Sequence, residues 1–416
     1  MSRSPVRHAS ELPMTGRILA YIVTLAGYFL YCYNFVVLDY VRPYLVSEVG
    51  FSVQQTAIIN SAGNIGVTIG AVVWAAVIAR IGRRAAVATI AAAIGLMAAC
   101  QAGSNDLATW IGSRGVLAAA LGGYYVVATS IVVALFPPHV RGKLIALNSA
   151  MYALSNIAVG TLGASIGDAH WRLLLWVAVI PLPLAGALWL AVPSDRRYRA
   201  YDADATNSTA TGSWREMLSS RWRWRTLGCV LLSGIDFNAY QLFFSFVTLY
   251  TKTVRHASAE TMGTTVALIS TGSLIGGFAW ALASDRWGRR LPLTGYVLAA
   301  VAILVFLRTG ASPIALSIAG FAFGVGLSCT ACWGAWFAEM FPVRLQPYGA
   351  SLFHAGHVLA LASPLVAAFA AGGLGLSVAM SLAALVYLAG AAVWFAMPET
   401  LPRLVGTISE HQGPSA

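Results

Sequence analysis

Asp236 is the side chain with the clearest chemical prospects. It lies in an apolar run through Gly234-Ile235-Asp236-Phe237-Asn238-Ala239-Tyr240-Gln241. Read as a helix, the run places it about ten residues, or roughly 15 Å, from one end, near the middle of a bilayer. An ionisable group there costs about 2.5–3.5 kcal/mol on insertion scales, so it needs a purpose. A carboxyl shielded from water can bind and release a proton near neutral pH; the plainer alternative is a structural Asp paired with a neighbouring helix. Asp39 and Arg114 come next. Arg114 sits roughly 10 Å inside an apolar run and Asp39 near the outer end of another, so the two can share a depth and pair. Alternatively, the fork of donors on Arg114 suits a substrate carboxylate. His354 and His357 are three apart and share a helical face. They can titrate, with His357 near mid-depth a further proton-coupling candidate, or bind an anion, or hydrogen-bond a helix backbone. No further ligands accompany them, so neither a metal nor a cofactor is expected.

Polar residues at helical spacing mark a candidate substrate path. Asn148, Tyr152 and Asn156 recur every four residues, as do Asn60 and Asn64. Each set makes one helical face wettable, either to line a water-filled path or to hydrogen-bond other helices. Tyr124, Tyr125, Tyr240, Gln241, Phe243, Trp333 and Trp336 add aromatic and hydrogen-bonding surface, though packing is the ordinary role of any one aromatic.

These groups must be positioned by membrane helices. The chain is 58% hydrophobic and only 10% charged, too little polar surface for a soluble fold. About twelve apolar runs are long enough to span, at roughly 18–45, 54–78, 85–103, 107–136, 144–166, 173–193, 226–250, 260–282, 291–308, 313–337, 348–371 and 376–396. Gly63, Gly66 and Gly70 in the second and Gly272, Gly276 and Gly277 in the eighth predict close helix approach. The five cysteines, Cys329 and Cys332 included, fall within apolar runs and read as buried thiols.

A charged turn repeats at the same place in each half. Ala79-Arg80-Ile81-Gly82-Arg83-Arg84 and Asp285-Arg286-Trp287-Gly288-Arg289-Arg290 each stand between two apolar runs. The duplication predicts an all-α membrane protein of twelve transmembrane helices in two pseudo-symmetric six-helix halves. The divisions are an N-tail (1–17), an N-terminal half (18–193), a polar and basic linker (194–225), a C-terminal half (226–396) and a C-tail (397–416). The net charge of +11 gathers on one side: Arg80, Arg83, Arg84, Arg141, Lys143, the linker arginines, Arg286, Arg289, Arg290 and Arg344. By the positive-inside rule that side is cytoplasmic, with both termini. The basic residues therefore orient the chain in the cell inner membrane, and nucleic acid is not an expected partner.

Together these elements resemble the major facilitator superfamily. Its G-x-x-x-D-R-x-G-R-R signature is intact from Asp285 onward; the N-terminal copy carries Ala79 at the acid, and Ala75 and Ala281 replace the leading glycines. Arg114 through Gly122-Gly123 is similar to the family's fourth-span pattern. Val192-Pro193-Ser194-Asp195-Arg196-Arg197 and Pro398-Glu399-Thr400 resemble its elements after the sixth and twelfth spans. Ala338-Glu339-Met340-Phe341-Pro342-Val343-Arg344 is similar to a segment of the metabolite–proton and aromatic-acid–proton symporter branches.

The resemblance implies rocking of two halves around a midplane site, with Asp285, Arg286, Gly288, Arg289, Arg290 and Glu339, and Arg80, Arg83 and Arg84, forming an inner gate. Ala79 and Ala134 stand where Asp285 and Glu339 stand in the other half, which predicts an asymmetric gate. Those branches keep two acids in the first span, where this chain has Tyr31-Cys32-Tyr33-Asn34. Asp236 maps near Tyr31 in the repeat, so the coupling carboxylate is expected to have moved to the second half. The function expected is proton-coupled symport of a small organic acid; its rivals are a facilitator or exporter without proton coupling and, more remotely, a non-transporting sensor. No phosphate-binding loop or nucleophile–base pair points to ATP drive or to an enzyme.

Overall fold

The computed structural model describes residues 7–195, 198–199, 213–310, 312–342, 345–361 and 363–401. Among the described residues the regular structure is helical, apart from a two-residue parallel pairing of Arg7–His8 with Tyr198–Arg199. Two compact units divide it: residues 1–208 with 258–263, and residues 209–257 with 264–416.

In the first unit, α1 (Met14–Ser47), α2 (Val53–Ile81), α3 (Arg83–Gly103), α4 (Leu107–Leu135) and α5 (Pro138–Ile166) are continuous. Local chemistry sets their starts. Ser52 and Gln55 form a reciprocal capping box at α2, and Asp106 accepts from the Thr109 backbone N–H at α4. The sixth span is broken into α6 (Arg172–Val177) and α7 (Pro181–Ala191). Pro181 has no N–H to continue the ladder, and the carbonyls this frees need other donors. The Leu182 N–H turns to the Val179 carbonyl, so the Ala178 carbonyl takes the Asn34 amide instead at 3.0 Å; the Leu174 carbonyl keeps the Ala178 N–H and also accepts from the Tyr33 hydroxyl at 3.1 Å. Helix α2 packs along α4 and α1 along α5. The glycines predicted to allow close approach do so at Gly66 and Gly70, where a Cβ would fall 2.3 and 2.0 Å from α4 carbonyl oxygens.

The second unit opens with a short helix, α8 (Trp214–Met217), followed by α9 (Arg223–Thr253), α10 (Ala259–Trp287, whose residues up to Gly263 group with the first unit) and α11 (Leu293–Arg308). The next span comprises α12 (Pro313–Leu327), a 3-10 turn (Ser328–Cys332) and α13 (Trp333–Glu339). The last elements are α14 (Gln346–Leu359), α15 (Ser363–Leu374) and α16 (Leu376–Ala396). Helix α9 packs against α14 and α16, and α11 against α12 and α16. Their shared core is aromatic: Tyr296 lies 5.0 Å from Tyr387 and 5.4 Å from Trp394, and Trp333 lies 5.2 Å from Trp394, between ring centroids.

Ten stretches among the described residues are long and apolar enough to cross a membrane, with Arg172–Ala191 and Pro313–Glu339 each counted as one. Leu293–Arg308 and Ser363–Leu374 are apolar but shorter. The single span expected at 348–371 is interrupted between Leu359 and Ser363, just ahead of Pro364. The structure is thus that of an all-α, multi-span membrane protein.

Candidate functional site

In the first unit, Arg114 is 4% exposed. Its two terminal nitrogens donate to the Asn34 and Phe35 carbonyls of α1, at 2.9 and 3.3 Å. Its Nε has no hydrogen-bond partner among the described residues. The side chain lies flat on α2, where a Cβ on Gly63 would be 3.1 Å from that Nε. Arg114 therefore straps α4 to α1, with its Nε to spare. Asp39 pairs with Arg42 at 2.8 Å, one turn along α1, and accepts from the Asn60 amide at 3.4 Å. Arg42 is fully buried, so this ion pair is partly shielded from water. Sequence reasoning missed Arg42 because it stands near the end of a span, where an arginine ordinarily reaches water.

Asn34 sits at the hub. Its amide donates to Leu30 and Ala178 while its carbonyl accepts from Arg114. The residue occupying the place of an expected acid thus works as a donor, which a carboxylate cannot do.

The Asn148, Tyr152 and Asn156 stripe divides. Asn148 and Asn156 are buried at 3% each, while Tyr152 is 37% exposed. Asn148 accepts from Tyr21 of α1 at 3.3 Å, and Asn156 donates to the Tyr152 carbonyl of its own helix. The two amides thus do interhelical and local work, and Tyr152 is the exposed member of the stripe. Tyr124 is buried, donates to the Thr24 carbonyl at 3.3 Å and stacks on Tyr31 with centroids 5.8 Å apart. Tyr28 lies 5.0 Å from Tyr31 and completes a tyrosine cluster.

In the second unit, Asp236 is 5% exposed, and the Tyr296 hydroxyl of α11 donates to its Oδ1 at 2.9 Å. The Tyr387 hydroxyl and the Trp333 indole N–H of the same aromatic core are buried without a hydrogen-bond partner among the described residues. Sequence reasoning missed Tyr296, since a tyrosine in an apolar run reads as packing. Nearby on α9, Gln241 accepts from Ser245 at 2.6 Å and Tyr240 stacks on Phe244. His354 and His357 belong to α14, but their side chains lie outside the described residues.

The charged turns organise one end of each unit. In the second, Gly288 takes φ +113° and aims the Arg289 side chain back along the chain. Arg289 donates Nε and a terminal nitrogen to Glu339 at 3.0 and 2.7 Å, and its other terminal nitrogen to Asp285 at 2.5 Å and Ser284 at 2.9 Å. Glu399 receives the backbone N–H groups of Arg289, Arg290, Thr400 and Leu401. Burial pushes its carboxyl up, but those four donors outweigh it and hold Glu399 below the usual glutamate range. Thr400 closes the ring by donating to Glu339 at 2.6 Å. Arg290 donates to the Met397 carbonyl, and Arg286 lies over Trp287.

In the first unit, Gly82 takes φ +82° and Arg83 donates its backbone N–H and a terminal nitrogen to Asp195, at 2.7 and 2.9 Å. Arg84 lies over Trp189, and Arg80 is exposed. Ala79 and Ala134 offer no carboxylate here, and Asp195 supplies one instead.

Comparison with known proteins places the chain. The Major Facilitator Superfamily profile matches residues 24–307, and the chain belongs to that family. A chloramphenicol resistance protein of Streptomyces lividans is 26% identical over 63% of this chain; the chain spans 65% of that relative's length. A gentisate transporter of Corynebacterium glutamicum is 24% identical over 71% of the chain and 68% of its own length. The niacin transporter NiaP of Acinetobacter baylyi is 23% identical over 79% and 82%. Among solved structures, a bacterial homolog of the human lysosomal transporter Spinster superposes with a TM-score of 0.73 at 15% identity, over 92% of this chain and 97% of that one. Family membership and fold agree on a multi-span membrane protein of the transporter class.

Proposed function

We propose that the chain is a proton-coupled symporter of a small carboxylate, aromatic in character, working by alternating access. The observation that carries this is Asp236: a carboxyl 5% exposed within a spanning helix, with a tyrosine hydroxyl as its hydrogen-bond donor. Taking up a proton removes a charge that costs about 2.5–3.5 kcal/mol to keep in the membrane, so proton binding and conformation are naturally linked there. Two relatives whose names carry gentisate and niacin, both aromatic carboxylates, support the substrate class. Arg114 is the proposed carboxylate contact, through the donor left over from its bonds to α1. Tyr124, Asn148, Tyr152, Asn156, Tyr240, Gln241 and His354 are proposed lining residues, with Asp39 and His357 as secondary proton carriers. The two six-helix halves (18–193 and 226–396), the cytoplasmic linker and tails, and insertion in the cell inner membrane belong to the same proposal.

A facilitator or exporter is the second reading. It is favoured by Asn34, an obligate donor where the resembling branches keep an acid, and by the name of the chloramphenicol resistance relative. Uptake of radiolabelled gentisate, nicotinate and chloramphenicol into proteoliposomes, with and without an inward proton gradient, separates the two. Symport predicts gradient-driven accumulation of a carboxylate, lost in Asp236→Asn. Accumulation that survives Asp236→Asn removes the assignment to Asp236, and equilibration without accumulation favours the facilitator. An Arg114→Lys variant with unchanged apparent affinity removes Arg114 from the substrate site.

A further inference from the structure

The second unit begins with an amphipathic hook ahead of α9. Ser213 caps α8, accepting from the Glu216 backbone N–H at 3.3 Å. The buried Met217 and a hydrogen bond from Thr226 Oγ1 to the Met217 carbonyl at 2.8 Å pin the hook to the start of α9. Trp214 packs edge-on against Tyr348 of α14 at 5.1 Å. The hook is therefore a fixed piece of structure.

Its outer surface is both apolar and basic. Trp214 is 50% exposed, Leu218 61% and Trp224 71%. Trp224 continues into exposed Leu227 and Leu231, one stripe at i, i+3 and i+7 along a helix of membrane-spanning length. Four arginines, Arg215, Arg221, Arg223 and Arg225, stand against one acid, Glu216. Arg225 donates to the Met340 carbonyl at 2.7 Å. Arg221 and Arg223 instead lie over the Trp222 and Trp224 rings, at 5.0 and 5.3 Å. Among the described residues, no carboxylate or carbonyl takes either guanidinium. That contrasts with Arg83 and Arg289, which have carboxylates of their own.

We propose that this hook is a binding site for the head group of an anionic phospholipid. Arg221 and Arg223 take the phosphate, and the acyl chains lie on the Trp224–Leu227–Leu231 stripe. A guanidinium's planar fork matches two phosphate oxygens, and stacking on an indole holds that fork in place without consuming its donors. The apolar stripe continuing from the basic residues along a spanning helix selects a lipid over a free anion or an acidic peptide. Each basic residue near an anionic membrane surface contributes to such binding, and tryptophan side chains favour head-group depth.

The test is native mass spectrometry of the full-length protein released from nanodiscs of phosphatidylcholine with graded phosphatidylglycerol. The wild type should retain phosphatidylglycerol, and excess inorganic phosphate should not displace it. An Arg221→Gln/Arg223→Gln variant should bind roughly tenfold or more weakly, the Lys/Lys variant at an intermediate level. Should the Gln variant not yield monodisperse protein, Trp224→Ala is read the same way and should also lose lipid. Wild-type retention in either variant overturns the site, and displacement by inorganic phosphate overturns the lipid as its occupant. The readout is bound lipid, so it stands apart from whether protons drive transport.

Discussion

The two glycine–arginine–arginine turns make the same bend by different divisions of labour. In the second unit the tasks are split. Glu399 receives the backbone N–H groups of the turn, while Glu339 and Asp285 hold the Arg289 guanidinium. In the first unit, Asp195 does both, taking the Arg83 backbone N–H on one oxygen and its side chain on the other. Both turns need a glycine at positive φ, and both sit against a carboxylate from the segment after the unit's last helix. The difference teaches that, with alanine at 79 and 134, the first network is smaller but not absent. The second turn has redundancy; the first depends on one short side chain.

Arg289→Gln should have the largest effect. Removing one partner of a buried ion pair costs about 3–5 kcal/mol, and here less, since the Glu339 and Asp285 side chains are 35% and 67% exposed. A loss of about 2 kcal/mol in thermal unfolding of the detergent-solubilised protein is expected. Arg83→Gln should cost about 1 kcal/mol or less, as both members of its pair are roughly a quarter exposed. Equal losses from the two variants would refute the asymmetry.

Glu399→Gln probes the backbone-holding task alone. The carboxyl sits below its ordinary value, so it binds its proton less readily folded than unfolded. Its stabilisation is complete above the unfolded value, near pH 4–5, and is lost as pH falls through the lower folded value. The variant should therefore be less stable than the wild type at pH 7, by about 1 kcal/mol or somewhat more. The gap should narrow as pH drops below about 4. A gap that stays constant from pH 7 into that acid range would mean that the four N–H bonds do not hold the charge.

Much of the architecture was readable in the sequence, for a physical reason. Apolar runs of bilayer length leave few folds open, and a charged turn between two such runs repeats visibly. Arg289, Asp285 and Glu339 were readable as one cluster because two are four residues apart and the third belongs to a recognisable segment. Carboxylates reached across long separations were not. Asp195 meets Arg83 across 112 residues and Glu399 meets Arg289 across 110, and no local spacing encodes either. The aromatic partner of Asp236 was hidden similarly, because Tyr296 looks like any other core ring. Asn34 was read as a missing acid, when its amide serves a carbonyl freed by the break before Pro181. That break could have been anticipated from Pro181 and Pro183, but its donor on another helix could not.

Ala79→Asp is the smallest perturbation and the most discriminating. It places an acid four residues before Arg83, the separation of Asp285 from Arg289, across the same kind of glycine break. An added i, i+4 ion pair at an exposed site is worth about 0.3–0.5 kcal/mol. In the wild-type background the gain should be barely resolved, because Asp195 already occupies the guanidinium. In an Asp195→Asn background, Arg83 is left without its carboxylate, and the new acid should recover more of the loss than it adds to the wild type. A thermal-unfolding double-mutant cycle measures that coupling directly. Additive effects would mean that Asp195 and the introduced acid serve different groups, and that the shared-duty account of the first turn is wrong. A gain of about 0.3–0.5 kcal/mol confined to the Asp195→Asn background would show one guanidinium being served by either carboxylate, as Arg289 is served by two.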